Sequence, residues 1–249
     1  MTGGSVNFDY GNKTLNFCNL VISGGVLTFS NTAVQFNGLT LLNSANLHCQ
    51  STANCTFYGN VSLMGSSVMR ISTSNSAVAC VENLMMSGSP TLQVDSVSIL
   101  RITNSFIWQS GTITAGDGIS GGQFILNSTS STNLINATNT GLYYVHFINW
   151  GYLSFTSSTA FYLGYGAIFT NQDNALLYIN SQDSSVTMIF YGGGATSYLE
   201  NFGRITVDIS DAFSFNCEQL WNILFGVRNK CSNDILPLCL HTIQRNDVS

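Results

Sequence analysis

Charged side chains are scarce in this chain of 249 residues, at 8% of the total, against about 25% in an average domain. Seven Lys and Arg residues are scattered singly among twelve Asp and Glu, and the net charge is −5. No basic patch exists that would neutralise a phosphate backbone, so nucleic acid is not an expected partner. No apolar run reaches the roughly 18 residues needed to span a membrane. The N-terminal MTGGSVNFDY has neither the basic nor the apolar region of a signal peptide.

Metal-ligand spacings are missing as well. The seven cysteines form no CxxC pair and have no histidine at the spacing of a zinc site, so neither a metal nor a cofactor is expected. Disulfides are the expected use of the cysteines. Cys49 and Cys55 are close enough for a local bridge, and Cys217, Cys231 and Cys239 cluster near the C-terminus.

Five glycosylation sequons occur, although about six such triplets are expected from the abundance of Asn, Ser and Thr alone. They lie at Asn12, Asn54, Asn60, Asn127 and Asn136. Together with the cysteines and the low charge, they favour an extracellular or cell-surface protein.

The feature present in abundance is a repeat of apolar strand, glycine bend and apolar strand. Gly65, Gly88 and Gly111 follow one another at a constant spacing. Further glycine corners are expected at Gly24, Gly151 and Gly192, and the distance in sequence from each to its neighbouring corner is about twice as long. Each of these gaps corresponds to two steps, with intermediate bends expected near Ala45, Ser131 and Asn171. This period is that of a solenoid whose strands stack in register from coil to coil. Glycine suits the corners because it has no Cβ to clash at positive φ.

The pattern therefore predicts an all-β fold, a single-stranded parallel β-helix of about nine to ten coils with about 21 to 23 residues each. It occupies residues 1–212, and residues 213–249 form a C-terminal cap with the cysteine cluster and a short amphipathic helix, Cys217–Val227. The absence of an LxxLxLxxN pattern excludes a leucine-rich repeat, whereas a β-sandwich remains the alternative. Trp108 is expected to be a packing residue, and GDGISGG at 116–122 an irregular loop.

Aromatic residues are dense between Leu142 and Phe169. Most are expected in the core or stacked on the outer face. A sugar-stacking platform is the alternative for the members that point outward, and its candidate residues are Tyr143, Tyr144, Trp150, Tyr152, Tyr162 and Tyr165.

The period and the run W-x-S-G-T-I-x-x-G-x-G, Trp108 to Gly118, resemble extracellular right-handed β-helix domains of the pectin-lyase-like kind. The resemblance covers about residues 5–210 and is one of architecture. It implies catalytic motifs such as N-T-D, D-D, G-H-G and R-I-K for a galacturonan hydrolase, or an acidic calcium site for a lyase. None is complete here, and the close pair Asp208 and Asp211 is interpreted as a solvated turn. No catalytic residue is therefore predicted.

These observations predict a non-enzymatic extracellular module with a structural or adhesive role, such as a surface-coat or filament-forming glycoprotein. The expected partners are copies of itself, other extracellular surface proteins, or glycans. The alternative is a β-helix that binds or cleaves carbohydrate through the aromatic residues.

Overall fold

The fold is an all-β parallel solenoid of about seven turns, as seen in a computed structural model. The structure describes residues 3–11, 13–51, 55–73, 78–136, 140–156, 160–181, 186–191, 195–209, 213–217 and 223–225. Within these ranges the regular structure is strand, and no helix occurs. The predicted all-β parallel solenoid is confirmed, and with it the resemblance in architecture to β-helix proteins.

Twenty-four strands are described. The first twelve are β1 Ser5–Phe8, β2 Thr14–Ser23, β3 Val26–Ser30, β4 Ala33–Leu42, β5 Asn46–Ser51, β6 Cys55–Gly65, β7 Val68–Thr73, β8 Val78–Gly88, β9 Thr91–Val94, β10 Ile99–Trp108, β11 Thr112–Thr114 and β12 Gln123–Leu126. The others are β13 Leu134–Ile135, β14 Thr140–Tyr143, β15 His146–Asn149, β16 Tyr152–Phe155, β17 Ala160–Gly164, β18 Ile168–Asn171, β19 Leu176–Ser181, β20 Val186–Tyr191, β21 Tyr198–Asn201, β22 Arg204–Ile209, β23 Phe213–Cys217 and β24 Ile223–Phe225.

The strands form two parallel sheets that face each other across the core. The first sheet has ten strands, in the order β1-β3-β5-β7-β9-β11-β14-β17-β20-β23, and the second has fourteen. Early coils keep a short period: Val26 pairs with Asn46, and Asn46 with Val68. Thr112, in contrast, pairs with Gly141. This coil is longer than the predicted period, so the chain after Thr112 makes fewer turns than a constant period implies.

The corners of the solenoid follow the glycine repeat. Gly65, Gly88 and Gly111 have φ values of 64°, 88° and 93°, where a Cβ is strained. They also stack closely: a Cβ on Gly88 would lie 2.7 Å from the amide nitrogen of Gly65. These three corners are therefore confirmed. Gly151 is a buried corner residue without positive φ, and Gly192 lies outside the described residues.

The core consists of columns of side chains that repeat one coil apart. Phe36 and Phe57 stack with ring centroids 4.9 Å apart, and Phe124, Phe147 and Phe169 continue at 4.8 and 4.9 Å. Burial of each such ring contributes about 1.5–3 kcal/mol. Trp108 is fully buried and meets Phe161 edge-on at 5.7 Å, which confirms it as a packing residue.

One core column changes chemistry along the solenoid. Its first members are apolar, from Phe17, Phe36 and Phe57 to Leu126, and the register then places Asn149, Asn171 and Asn201 in the same column. We call these three residues the asparagine ladder. The amide of Asn149 donates to Asn171 Oδ1 at 2.9 Å, and the amide of Asn171 donates to Asn201 Oδ1 at 2.8 Å. Asn149 and Asn171 are fully buried, so their hydrogen bonds offset the cost of burying amides.

The C-terminal part departs from the predicted helix where it is described. Cys217 ends strand β23, and Ile223–Phe225 form strand β24. These residues continue the two sheets, because β23 pairs with β20 and β24 pairs with β21. The rest of Cys217–Val227, together with Cys231 and Cys239, lies outside the described residues.

Candidate functional site

The predicted aromatic platform divides between different corners of the solenoid. Tyr143, Tyr144 and Tyr165 come together where the first sheet turns into the second. Tyr144 stacks on Tyr165 at 5.1 Å with a 13° interplanar angle, and Tyr143 meets Tyr165 edge-on at 5.8 Å. We call this group the tyrosine corner. Trp150 and Tyr152 lie at the next corner of the same coil, where Trp150 is 50% exposed.

Tyr162 occupies an intermediate position. It lies on the first sheet, next to Gly141 in the register and one coil beyond it. Its side chain is half-buried. The six predicted residues therefore share one stretch of sequence but do not share one surface.

Two tyrosines of the corner hold strained backbone conformations. Tyr144 has a φ of 64° and Tyr165 a φ of 55°, a region in which a bulky side chain is a genuine outlier. At φ 51°, Asn31 shows the residue type that tolerates this conformation better. Such strain costs about 1–3 kcal/mol per residue and concentrates at functional sites. The tyrosine corner is thus the strained aromatic surface among the described residues.

A charge cluster lies on the outer face of the first sheet. Arg70 Nε donates to Asp95 Oδ2 at 2.8 Å, the one salt bridge found in the described part of the chain. The amide of Gly116 donates to the other carboxylate oxygen of Asp95 at 2.9 Å. Both oxygens of this buried carboxylate are therefore engaged.

The glycine-rich loop 116–122 folds over this ion pair. A Cβ on Gly116 would lie 2.5 Å from Asp95 Oδ1 and 2.7 Å from Arg70 Nε, so a larger residue there would displace the ion pair. Asp117 accepts hydrogen bonds from the amides of Ile119 and Ser120 at 3.0 and 3.3 Å. The bond from Ile119 is the largest cause of its lowered pKa, and Arg70 adds a smaller effect. The expected irregular loop is confirmed, since residues 115–120 contain no strand.

The loop connects the charge cluster to the tyrosine corner. Gly121 donates its amide to the Tyr144 carbonyl at 3.0 Å, and a Cβ on Gly121 would lie 2.6 Å from Val145 Cγ2. On the other side, Gly121 forms an isolated antiparallel bridge with Asp95. Charge cluster, loop and tyrosine corner therefore follow one edge of the solenoid.

His48 belongs to the same outer face, because it is the register partner of Arg70. Burial lowers the pKa of His48, the Arg70 guanidinium lowers it further, and Asp95 opposes both. The imidazole is therefore neutral at pH 7. Next to a guanidinium it provides a hydrogen-bonding group rather than a second positive charge.

A second polar chain crosses the outer face of the second sheet. His146 Nε2 lies 2.7 Å from Thr170 Oγ1, and the Thr170 hydroxyl donates to Glu200 Oε2 at 2.9 Å. Because that hydroxyl proton is directed to Glu200, the imidazole donates through Nε2–H. Burial lowers the pKa of His146, and Glu200 raises it by a smaller amount. The chain links three consecutive coils.

The other predicted sites are distributed over the surface and the core. Asn60, Asn127 and Asn136 are exposed, whereas Asn12 and Asn54 lie outside the described residues. Cys49 and Cys55 are free and fully buried, and Cys18 and Cys80 are also free. No disulfide therefore joins any two of these four cysteines. Asp211 lies outside the described ranges, and for Asp208 only the backbone is described.

Sequence reasoning missed Arg70, Asp95 and His48 as a group. The available signal was their spacing, since Arg70 follows His48, and Asp95 follows Arg70, by about one coil of the repeat. No group of three or more metal-ligating side chains occurs in the ranges that the structure describes. In the same ranges no helix is long and apolar enough to cross a membrane. No protein-family model, no curated protein and no solved structure matches the chain.

Proposed function

We propose that this solenoid is a non-enzymatic structural or adhesive module of an extracellular or cell-surface protein. The observation that carries the proposal is the engagement of Asp95. Its carboxylate binds Arg70 on one oxygen and the Gly116 amide on the other, so it holds the glycine-rich loop in place. A carboxylate that anchors a loop supports a structural surface of fixed shape.

The proposed module is part of a glycoprotein that associates with copies of itself or with other surface proteins. Exposed sequon asparagines at Asn60, Asn127 and Asn136 support glycosylation. The strand β1 is the edge of the first sheet among the described residues, and such an edge suits assembly with another copy into filaments. In its full form the proposal also includes a cysteine-containing cap beyond β24.

Two measurements test this function. Negative-stain electron microscopy and sedimentation of the glycosylated protein should show concentration-dependent, end-to-end particles. Dispersed monomers at every concentration would count against the filament form. Cleavage of acidic polysaccharides, with or without calcium, would overturn the non-enzymatic assignment.

A second candidate function is carbohydrate binding at the tyrosine corner. The specific observation is that Tyr144 and Tyr165 stack while both hold strained φ values. A tyrosine ring can cover the apolar face of a sugar, and the neighbouring loop supplies polar groups. The strain is explained if the rings are needed for contact.

Tyr165→Asn separates binding from folding, because asparagine tolerates positive φ, as at Asn31. We expect this variant to keep or raise the melting temperature while glycan-array binding falls at least tenfold. Tyr58→Ala is the control, since Tyr58 is 51% exposed in a different coil. Equal binding by wild type and Tyr165→Asn, or no binding to any glycan, would exclude this candidate.

A further inference from the structure

Two cysteines face each other inside one coil. Cys49 projects from β5 of the first sheet, and Cys55 begins β6 of the second sheet. Both side chains have no exposed surface, and their thiols lie close enough to affect each other's ionisation. The strands are joined across residues 52–54, which lie outside the described ranges. The pair therefore spans the corner where the two sheets meet.

We propose that Cys49 and Cys55 are an oxidisable pair that forms a disulfide during folding and locks this corner of the solenoid. Two buried thiols that interact within one coil can be joined by an S–S bond of about 2.05 Å. The inference does not rest on the proposed function, since it concerns the interior of the coil.

The reaction is thiol–disulfide exchange with a small-molecule disulfide such as oxidised glutathione. The thiolate of one cysteine attacks the reagent, forms a mixed disulfide and releases one glutathione thiolate, which takes up a proton. The second cysteine then attacks the mixed disulfide as its thiolate and releases the other glutathione. Two cysteine thiols are oxidised, and one glutathione disulfide is reduced to two thiols.

The folded coil protects the reduced pair from this reaction. Complete burial excludes the reagent from both sulfur atoms. The hydrogen bond to Cys55, and secondly burial, hold the pKa of Cys49 well above its ordinary value, so little thiolate forms near neutral pH. Oxidation should therefore occur while the coil forms and be slow once it is complete. Cys18, which is exposed, provides an internal standard.

The experiment compares two treatments of the full chain purified in reduced form. One sample is exposed to oxidised glutathione while folded, and the other is unfolded in guanidinium and refolded in a glutathione redox buffer. Free thiols are blocked with N-ethylmaleimide, disulfides are reduced and labelled with iodoacetamide, and each cysteine is read by peptide mass spectrometry. We expect Cys49 and Cys55 to carry the second label after refolding. In the folded sample, they should react at least tenfold more slowly than Cys18.

The pairing is tested with Cys55→Ala, a substitution that fits because Ala79 occupies the same inward column one coil later. In this variant Cys49 should be either free or joined to glutathione after refolding, and peptide mass spectrometry before reduction distinguishes the two. If it is joined to another cysteine of the chain, it pairs elsewhere and the proposal is wrong. The proposal is also overturned if Cys49 and Cys55 of the wild type stay free after refolding, or oxidise in the folded chain as fast as Cys18.

A measurement on the wild type alone needs no variant to fold. The oxidised protein should melt about 5 °C above the reduced protein, because the bridge restricts the unfolded chain. Equal melting temperatures for the two forms would contradict the proposed locking of the corner.

Discussion

Replacing Asn171 with alanine should remove three hydrogen bonds at once from the interior of the solenoid. Its amide donates to Asn201 Oδ1 at 2.8 Å and to the Arg204 carbonyl at 3.2 Å, and its own Oδ1 accepts from Asn149 at 2.9 Å. Asn149 keeps other acceptors, at the Gly151 and Leu176 carbonyls. The loss therefore falls mainly on Asn201 Oδ1 and the Arg204 carbonyl, each of which loses one donor.

The expected cost is about 3 kcal/mol, from about 1 kcal/mol for each of the three hydrogen bonds lost. For a chain of this size that corresponds to a melting temperature lower by roughly 6–12 °C, at about 2–4 °C per kcal/mol. Circular dichroism at the strand band measures this midpoint. Because repeat proteins can unfold in parts, hydrogen exchange at the amides of β18 and β21 checks that the loss is local.

Asn104→Ala is the matched control. Asn104 donates to Asn83 Oδ1 at 2.8 Å between neighbouring coils, as in the ladder, but it is exposed. Water replaces this bond, so about 0.5 kcal/mol or less should be lost. Midpoints for the two variants that coincide within experimental error would refute the reasoning that burial makes the ladder important.

Two further predictions concern charge. Lowered pKa values at His48 and His146 mean that the unfolded chain takes up protons first. The contribution of these histidines to the free energy of unfolding should therefore be complete above pH about 6.5 and fall as the pH drops through that value. A His48→Gln, His146→Gln double variant should show a smaller change in melting temperature between pH 7.5 and 5.5 than the wild type. An equal change in the two proteins would contradict the assignment. Asp95→Asn should lower the free energy of unfolding by about 1 kcal/mol, a small value because Arg70 is partly exposed, and should speed hydrogen exchange at Gly116. Asp173→Asn, in an exposed turn, is the control and should change neither quantity. Unchanged exchange in Asp95→Asn would exclude the ion pair as the anchor of the loop.

The corners of the fold were predictable from sequence because their requirement is local. Gly65, Gly88 and Gly111 recur at one period, and a backbone with positive φ selects glycine wherever the corner falls. The β24 segment was predicted as helix, since the spacing in LWNILF fits either structure over so short a run. Pairing with β21 decides for strand.

The charge cluster and the asparagine ladder were not predictable in the same way. Arg70 and Asp95 meet only because the strand register brings residues 25 positions apart together. In the ladder, the step from Asn171 to Asn201 is longer than the step from Asn149 to Asn171, so the longer coil hides the repeat. The tyrosines were recognised as a group in sequence, but which of them share a corner depends on where each strand ends.

The change from apolar residues to asparagine within one core column has a consequence for the order in which coils stack. Apolar columns do not distinguish one coil from the next, because Phe36 stacks on Phe57 much as it would on any neighbouring ring. Stacking that skipped a coil during folding would therefore cost little free energy in those columns. Asn171 placed between two apolar residues, in contrast, would lose the hydrogen bonds that it makes with Asn149 and Asn201. The ladder thus marks a fixed position along an otherwise repetitive solenoid, and stacking the coils out of order costs hydrogen bonds at that position.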